Sequence, residues 1–489
     1  MSSQTTDAET KWNGLYIDGE WRQPEGAAET TVTSPATGEV VATIPQATED
    51  DVDEAYAVAE QAQTEWAQTP PQERAAVIES AVERLQERQD EVVDLLGREA
   101  GSIVPKGAKE VQLATGMMNV ATSFPFRDGG DHEKSIIPGK ENVVEREPVG
   151  VVGVISPWNF PFHLSMRAVA PALALGNAVV LKPAGDTPIT GGLLLADIFE
   201  EAGLPDGLLN VVPGPGSTVG DAVASDERAE VVAFTGSTEV GRQVAQRAAE
   251  NFAEPALELG GNNVHIVTDD ADLEQAVDAG VFGTFMHQGQ VCISINRHLV
   301  HEDVYDEYVE RLTERAAQLP AGTELDEVVV GPIINETQRD TVLEFIEETV
   351  EAGATLETGG EADGLVIEPT VLSDVTNDMA AACNEHFGPV APVIPFSDDD
   401  EAVEMANATE YGLSGAVHAG DLERARDIAD RVETGMIHIN DQPINDEPHV
   451  PFGGVGASGM GRYNAEAILR KFTRTKWVSI QREQREYPF

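Results

Sequence analysis

The 489-residue sequence holds only two cysteines, Cys292 and Cys383. That excludes a disulfide framework and leaves few thiolates from which to build a metal site. Cations are scarce as well. Against 86 Asp and Glu stand 31 Lys and Arg, for a formal charge of −55 at pH 7. The acids are spread along the whole chain, and clustered Lys and Arg are what phosphate recognition needs, so nucleic-acid binding is excluded. Only eight of the cations are Lys, and none lies between Lys182 and Lys471. So many carboxylates with so little lysine point to a protein adapted to concentrated salt, where the Debye length shrinks to about 3 Å and surface carboxylates stop repelling one another. The alternative is an ordinary acidic protein. Long apolar runs are missing too: the longest, near Ala168 to Leu181, is broken by Pro171, Gly176 and Asn177 and is too short to span a bilayer. The opening MSSQTTDAET has neither the basic start nor the apolar stretch of an export signal, so a cytoplasmic protein without membrane partners is expected.

What is present suits a large core. Hydrophobic residues make up 41%, which excludes disorder, and the length suggests roughly two to four lobes. Residues 50 to 98 carry apolar positions at helical spacing, among them Ala76, Ile78, Val82, Leu85, Val92 and Leu95. From Val149 the texture changes to short apolar runs, each followed by a Gly- or Pro-bearing turn and a helix-length stretch. GVVGVIS leads to a helix from His163, AVVLKP to one from Pro188, LLNVVPG to one from Ser217, and VVAFTG to one from Thr238. This rhythm predicts an α/β fold with a doubly wound parallel sheet, in which ligands bind beyond the carboxyl ends of the strands. After Gly261 it resumes with NVHIV, RHLVHE and GMIHIN as strands and helices over 271–286, 305–318 and 337–351, a second α/β lobe. The closing RTKWVSIQREQREYPF alternates like an exposed edge strand, with a frayed terminus as the alternative.

Several residues stand where chemistry is expected. Cys292 lies just past a helix and after Gly289, with no acid close in sequence to raise its pKa; Cys383 reads as a packing residue. Glu258 ends a β-type run ahead of two glycines, where partial desolvation would raise its pKa and suit it to act as a general base, although most acids in this chain are solvated. Asn159, between Trp158 and Phe160 and before Pro161, can donate its amide to an oxyanion or merely cap a turn. FTGSTEVG, Phe234 to Gly241, can turn backbone N–H groups toward a phosphate at a helix N-terminus, yet it is neither a P-loop nor a GxGxxG fingerprint. Lys182 ends a strand in a lysine-poor chain, where a compact ammonium suits a ribose hydroxyl or a phosphate. The histidines, His163, His287 and His449 among them, show no metal-ligand pairing, so no metal is expected.

Taken in order, SPWNFP, LKPA, FTGSTEVG, LELGG, QGQVC, EHFGPV and PFGGVGASGMGR resemble the aldehyde dehydrogenase superfamily over nearly the whole chain. The resemblance implies a Rossmann-like doubly wound cofactor domain (1–125 and 148–260), an α/β catalytic domain (261–465) and a small β oligomerisation flap (126–147 and 466–489). It also implies roles. Cys292 would be the nucleophilic thiol, Glu258 the activator of water, and Asn159 the side-chain half of an oxyanion hole completed by the Cys292 backbone N–H. NAD or NADP would lie along Ser156, Pro157, Trp158, Lys182, Gly214, Phe234, Gly236, Ser237, Leu259, Gly260, Glu385 and Phe387. Two positions depart from the family. Gly185 replaces the Glu that often follows the cofactor-binding Lys by three residues, which opens the way to NADP. Arg167 and Ala168 stand where many members carry a helix lysine, which removes any proton relay through it.

KPAGDTP, LELGGNN and INDEPHVPFGGVGASGMGRYN look most like the benzaldehyde, salicylaldehyde and vanillin dehydrogenase branch. That implies oxidation of an aromatic aldehyde to its carboxylate through a thiohemiacetal and a thioester on Cys292, by a homodimer or homotetramer. An aliphatic aldehyde or semialdehyde dehydrogenase, a cysteine ester or thioester hydrolase, and a non-catalytic scaffold are the alternatives.

Overall fold

The computed structural model describes residues 12–127 and 129–489. The N-terminal stretch on which the export expectation rested lies outside them. Among the described residues no helix is long and apolar enough to cross a membrane.

The first sheet has eight strands. Its parallel centre runs, in spatial order, Leu209–Val211, Ala178–Lys182, Val151–Ile155, Ala229–Thr235 and Glu254–Glu258. The runs of Val, Ile, Leu and Ala in these strands are buried on both faces, as helices packed on each side require. Chain order reverses between Val151–Ile155 and Ala229–Thr235, so the switch-point crevice opens at the loops after Ile155 and Thr235. Those loops carry SPWNFP and FTGSTEVG. The helical expectation over 50–98 resolves into Glu49–Trp66, Pro71–Glu87 and Gln89–Ala100. The first is fixed by a capping box between Thr48 and Asp51. The helix expected from Ser217 is a one-turn π segment followed by the short Asp221–Ser225.

The second sheet has seven strands: Thr355–Thr358, Thr370–Ser373, Val390–Phe396, Ile295–His301, Asn263–Val267, Gly415–His418 and His438–Ile439, all parallel except the first. GMIHIN therefore supplies only a two-residue edge strand. Helices Leu273–Phe285, Tyr305–Ala316 and Glu336–Glu351 match the expected positions to within a few residues.

One boundary differs from the expectation that 261–465 forms a single lobe. Gly459–Met460 pairs antiparallel with Leu257 and Glu258, closing the otherwise open edge of the first sheet. The next helix, Ala465–Lys471, buries Ile468 and Leu469 in the core of that same sheet. The C-terminal strand Thr473–Gln481 then pairs with Lys140–Pro148 of its own chain, and Asp131–Lys134 completes a three-stranded sheet.

Candidate functional site

Between the two large sheets lies a cavity of about 280 Å³, lined by Pro157, Trp158, Asn159, Leu164, Gly236, Ser237, Leu259, Gly260, Cys292, Glu385 and Phe387 among others. Five loop segments contribute to it, the fifth carrying Glu385 and Phe387. Pro157 to Asn159 follow the strand Val151–Ile155 and lead into helix Pro161–Ala174. Gly236 and Ser237 follow Ala229–Thr235, and Ser237 caps helix Thr238–Glu250 by accepting from the Val240 N–H. Leu259 and Gly260 continue the strand Glu254–Glu258, whose last carbonyl accepts from the Gly236 N–H at 3.1 Å. Cys292 comes from the second lobe.

The Cys292 turn is unusual. Helix Leu273–Phe285 ends, and His287, Gln288 and Gly289 then take left-handed φ values of 49°, 58° and 72°. Such angles in His and Gln cost conformational energy, so surrounding contacts must impose them. Gln288 Nε2 donates to the Pro332 carbonyl at 2.8 Å, Gln290 Oε1 accepts from the Ile334 N–H at 3.0 Å, and Asn263 Nδ2 donates to the Cys292 carbonyl at 2.9 Å. The partly exposed thiol packs against the apolar cluster formed by Phe160, Leu164, Val291, Ile293, Leu413 and Phe452. Burial pushes it up to about 12, helped by Glu385, Glu258 and Asp446 and opposed by Arg167, so in the protein alone it keeps its proton at neutral pH.

Asn159 is buried, and its Nδ2 donates to the Gln290 carbonyl at 3.0 Å, two residues before Cys292. Glu258 is 2% exposed, so it is not the solvated acid that most acids of this chain are. Neither of its carboxyl oxygens has a hydrogen-bond partner among the described residues. Burial pushes its carboxyl up to about 8, against the pull of Arg167 and Arg462. Gly453 takes a φ of 145°, which side chains rarely adopt, and a Cβ there would lie 2.6 Å from Oε1 and push on that carboxylate. Behind it, the Arg167 guanidinium sits over the rings of Phe452 and Tyr463 at 4.6 and 4.8 Å and lies 3.5 Å from Asp446. Asp446 also takes His163 at 2.9 Å.

The other expected residues fall into two groups. Glu385 accepts from the Gly261 N–H at 3.0 Å, with its second oxygen where a Gly260 Cβ would be, and burial pushes it up to about 7. Phe387, also left-handed at φ 50°, meets the Trp158 ring edge-on at 5.4 Å, and its carbonyl accepts from Gln338 Nε2 at 3.1 Å. Ser156 and Lys182 lie side by side on adjacent strand ends, the Ser156 N–H donating to the Lys182 carbonyl at 3.1 Å. Burial lowers Lys182 to about 8 while Asp186 pulls it back. Ser156, Lys182, Phe234 and Gly214 are not among the residues that line the cavity. The Phe234 ring supports Gly236 from beneath, and Gly214 is packed on Val219, whose Cγ2 would lie 2.5 Å from an added Cβ.

A dinucleotide fits these residues. The buried Ser156 hydroxyl has no partner among the described residues, the capped helix N-terminus at Ser237 opens onto the cavity, and Gly185 leaves open space around its Cα. Among the described residues no group of three or more His, Cys, Asp or Glu is placed to hold a metal ion. Sequence reasoning missed Gln338 and Thr341, which line the cavity three residues apart on helix Glu336–Glu351. It also missed Lys106, Glu110, Asn263 and Asp446, which hold the turns in place.

Comparison with known proteins places the chain. The aldehyde dehydrogenase family matches residues 21–478. A benzaldehyde dehydrogenase [NAD(+)] of Pseudomonas putida is 46% identical over 480 residues, 98% of each chain. A vanillin dehydrogenase of Corynebacterium glutamicum is 46% identical over 469 residues, covering 95% of this chain and 97% of the relative. Among solved structures, betaine aldehyde dehydrogenase of Staphylococcus aureus in complex with NAD+ superposes with a TM-score of 0.94 at 31% identity, covering 98% of this chain and 96% of the other.

Proposed function

Since the chain belongs to the aldehyde dehydrogenase family, an enzyme that oxidises an aldehyde with NAD(P)+, we propose that its substrates are apolar aromatic aldehydes and that Cys292, Glu258 and Asn159 carry the chemistry. The observation that carries this reading is the setting of the thiol. Cys292 faces a cavity whose lining holds no Lys, Arg or His, and it packs against an apolar cluster of six buried side chains. The buried Arg167 guanidinium stands over two aromatic rings and 3.5 Å from Asp446, outside the lining of this cavity. A semialdehyde carboxylate would find no cation on the wall of that cavity, and burying it unpaired is costly. The relatives that act on benzaldehyde and vanillin support the same class.

In this reading the Cys292 thiol releases its proton to solvent as its sulfur adds to the aldehyde carbon, and the oxygen gains the negative charge of a tetrahedral alkoxide. Asn159 Nδ2 and the Cys292 N–H stabilise that charge. The Asn159 amide, now on the Gln290 carbonyl, has only to turn from one acceptor to another. Bound NAD(P)+ supplies the acceptor for the hydride that leaves this carbon, and the acyl group stays on sulfur as a thioester. Glu258 then takes a proton from water as the water oxygen attacks the acyl carbon, and the carboxylate departs with the thiol restored. Lys182 and Glu385 would hold the two riboses, Gly236 and Ser237 the pyrophosphate, and Trp158 and Phe387 the nicotinamide. Gly185, with nothing within 4 Å of an added Cβ, leaves room for a 2′-phosphate. The exposed Trp477 and Ile480 on the three-stranded sheet support a homodimer or homotetramer. The surplus of acids supports adaptation to concentrated salt.

A panel of benzaldehyde, acetaldehyde and succinic semialdehyde, each with NAD+ and NADP+ and followed at 340 nm, tests this. Benzaldehyde is expected to exceed succinic semialdehyde in kcat/KM by about 100-fold, and the reverse order would overturn the substrate class. The same panel in about 1 M salt is expected to hold activity that dilute buffer loses. Full, stable activity in dilute buffer contradicts the salt adaptation.

A further inference from the structure

Helix Pro161–Ala174 begins directly after the Asn159 turn, and its N-cap residue, Phe160, makes no side-chain cap. Ser, Thr, Asp or Asn at that position would satisfy the first amides. The Phe160 ring is committed elsewhere: it meets His287 edge-on at 5.5 Å and belongs to the apolar cluster against which Cys292 packs. Glu110, from the separate helix Val104–Ala121, does the capping. Its Oε1 accepts from the N–H groups of Phe162 at 2.9 Å and His163 at 3.1 Å. Glu110 is 0% exposed, and a carboxylate buried so completely must be paired. Lys106, one turn earlier and equally buried, donates to its other oxygen.

The Lys106 ammonium has two further protons. One goes to Ser102 Oγ at 3.0 Å and the other to the Asn159 backbone carbonyl at 2.8 Å, while the charge stands 4.2 Å over the Phe160 ring. All three donors of a buried cation are thus used, and one of them fixes the residue whose side chain faces the Cys292 turn. Through Phe160 and His287 the same cation also bears on the left-handed turn that precedes Cys292. A planar guanidinium cannot direct three donors at three such points from one atom. A chain with only eight lysines keeps one here, buried.

We infer that Lys106, held by Glu110, is a positioning residue that sets where the Asn159 amide stands relative to Cys292, and so controls oxyanion stabilisation without touching substrate or cofactor. The inference rests on the reading of Asn159 as an oxyanion donor. It is tested by a double-mutant cycle on kcat for benzaldehyde. The near-isosteric neutral pair Lys106→Met/Glu110→Gln is made alone and in the Asn159→Ala background, with NAD+ affinity and thermal unfolding measured in parallel. Alone, the pair is expected to lower kcat by about 10- to 100-fold with NAD+ affinity held within about 2-fold; in the Asn159→Ala background its loss is expected to shrink below about 3-fold, because the donor it positions is gone. Equal losses in both backgrounds, or no loss in either, would overturn the inference while leaving the reading of Asn159 intact. Asn159→Ala without effect on kcat would remove that reading and this inference with it. Should the neutral pair fail to fold, Lys106→Arg, which keeps the charge and changes the geometry, runs through the same cycle with the same two outcomes.

Discussion

Cys292→Ala is expected to lower aldehyde oxidation by about 10⁴-fold or more while dinucleotide binding persists. The side chain is small, it lies in an apolar cluster, and its loss leaves no buried polar group unpaired, so the fold is expected to stay intact. What is lost is the only thiol among the described residues that line the cavity. The second cysteine provides the control. Cys383 is exposed, its sulfur lies 3.3 Å from Asn384 Nδ2, and it does not line the cavity. Cys383→Ser is therefore expected to keep activity within about 2-fold, as surface substitutions usually do. Activity of Cys292→Ala within about 10-fold of the parent, assayed at 340 nm with several aldehydes, would mean that the sulfur is not the nucleophile.

Glu258→Gln is expected to separate the two halves of the reaction. The amide fills the same space beside Gly453 but cannot take a proton from water. Reduced dinucleotide should then appear in a rapid burst, followed by turnover slowed about 10²- to 10⁴-fold. Equal slowing of burst and turnover contradicts the assignment. The carboxyl also gives the parent enzyme a pH signature. With burial holding it up near about 8, the group keeps its proton below that pH and cannot act as a base. Turnover should therefore rise as pH increases through about 8 and level off above it, and the rise should be missing in Glu258→Gln. A pH-independent parent profile between 6 and 9 would argue that another group accepts the proton.

The parts of this architecture that followed from local pattern were legible before any coordinates. Buried parallel strands read as apolar runs, so Val151–Ile155, Ala178–Lys182 and the stretch from Val231 to Phe234 stand out, and with them the loops that carry chemistry. Long-range pairings left no such trace. Nothing near Gly459 announces that it pairs with the edge strand ending at Glu258, about two hundred residues earlier, and the helix that follows carries its apolar residues to the core of that same sheet. The chemical residues divide along the same line. Cys292, Glu258 and Asn159 sit in turns with distinctive neighbours. Lys106 and Glu110 sit in a helix where a Lys followed four residues later by a Glu reads as a surface ion pair. The one available signal was the scarcity of lysine, which drew attention to Lys182 and applies equally to Lys106. Motif membership likewise picks out Gly214 and Phe234, which pack against Val219 and Gly236.

The central claim is that the aldehyde carbon becomes bonded to one sulfur, and mass spectrometry reads that directly. Glu258→Gln, mixed with benzaldehyde and NAD+ and quenched in acid during the burst, should gain the mass of one benzoyl group per chain, and peptide mapping should place it on the fragment containing Cys292. Acylation of Cys383, or a burst of reduced dinucleotide with no acyl group on either cysteine, would contradict the account.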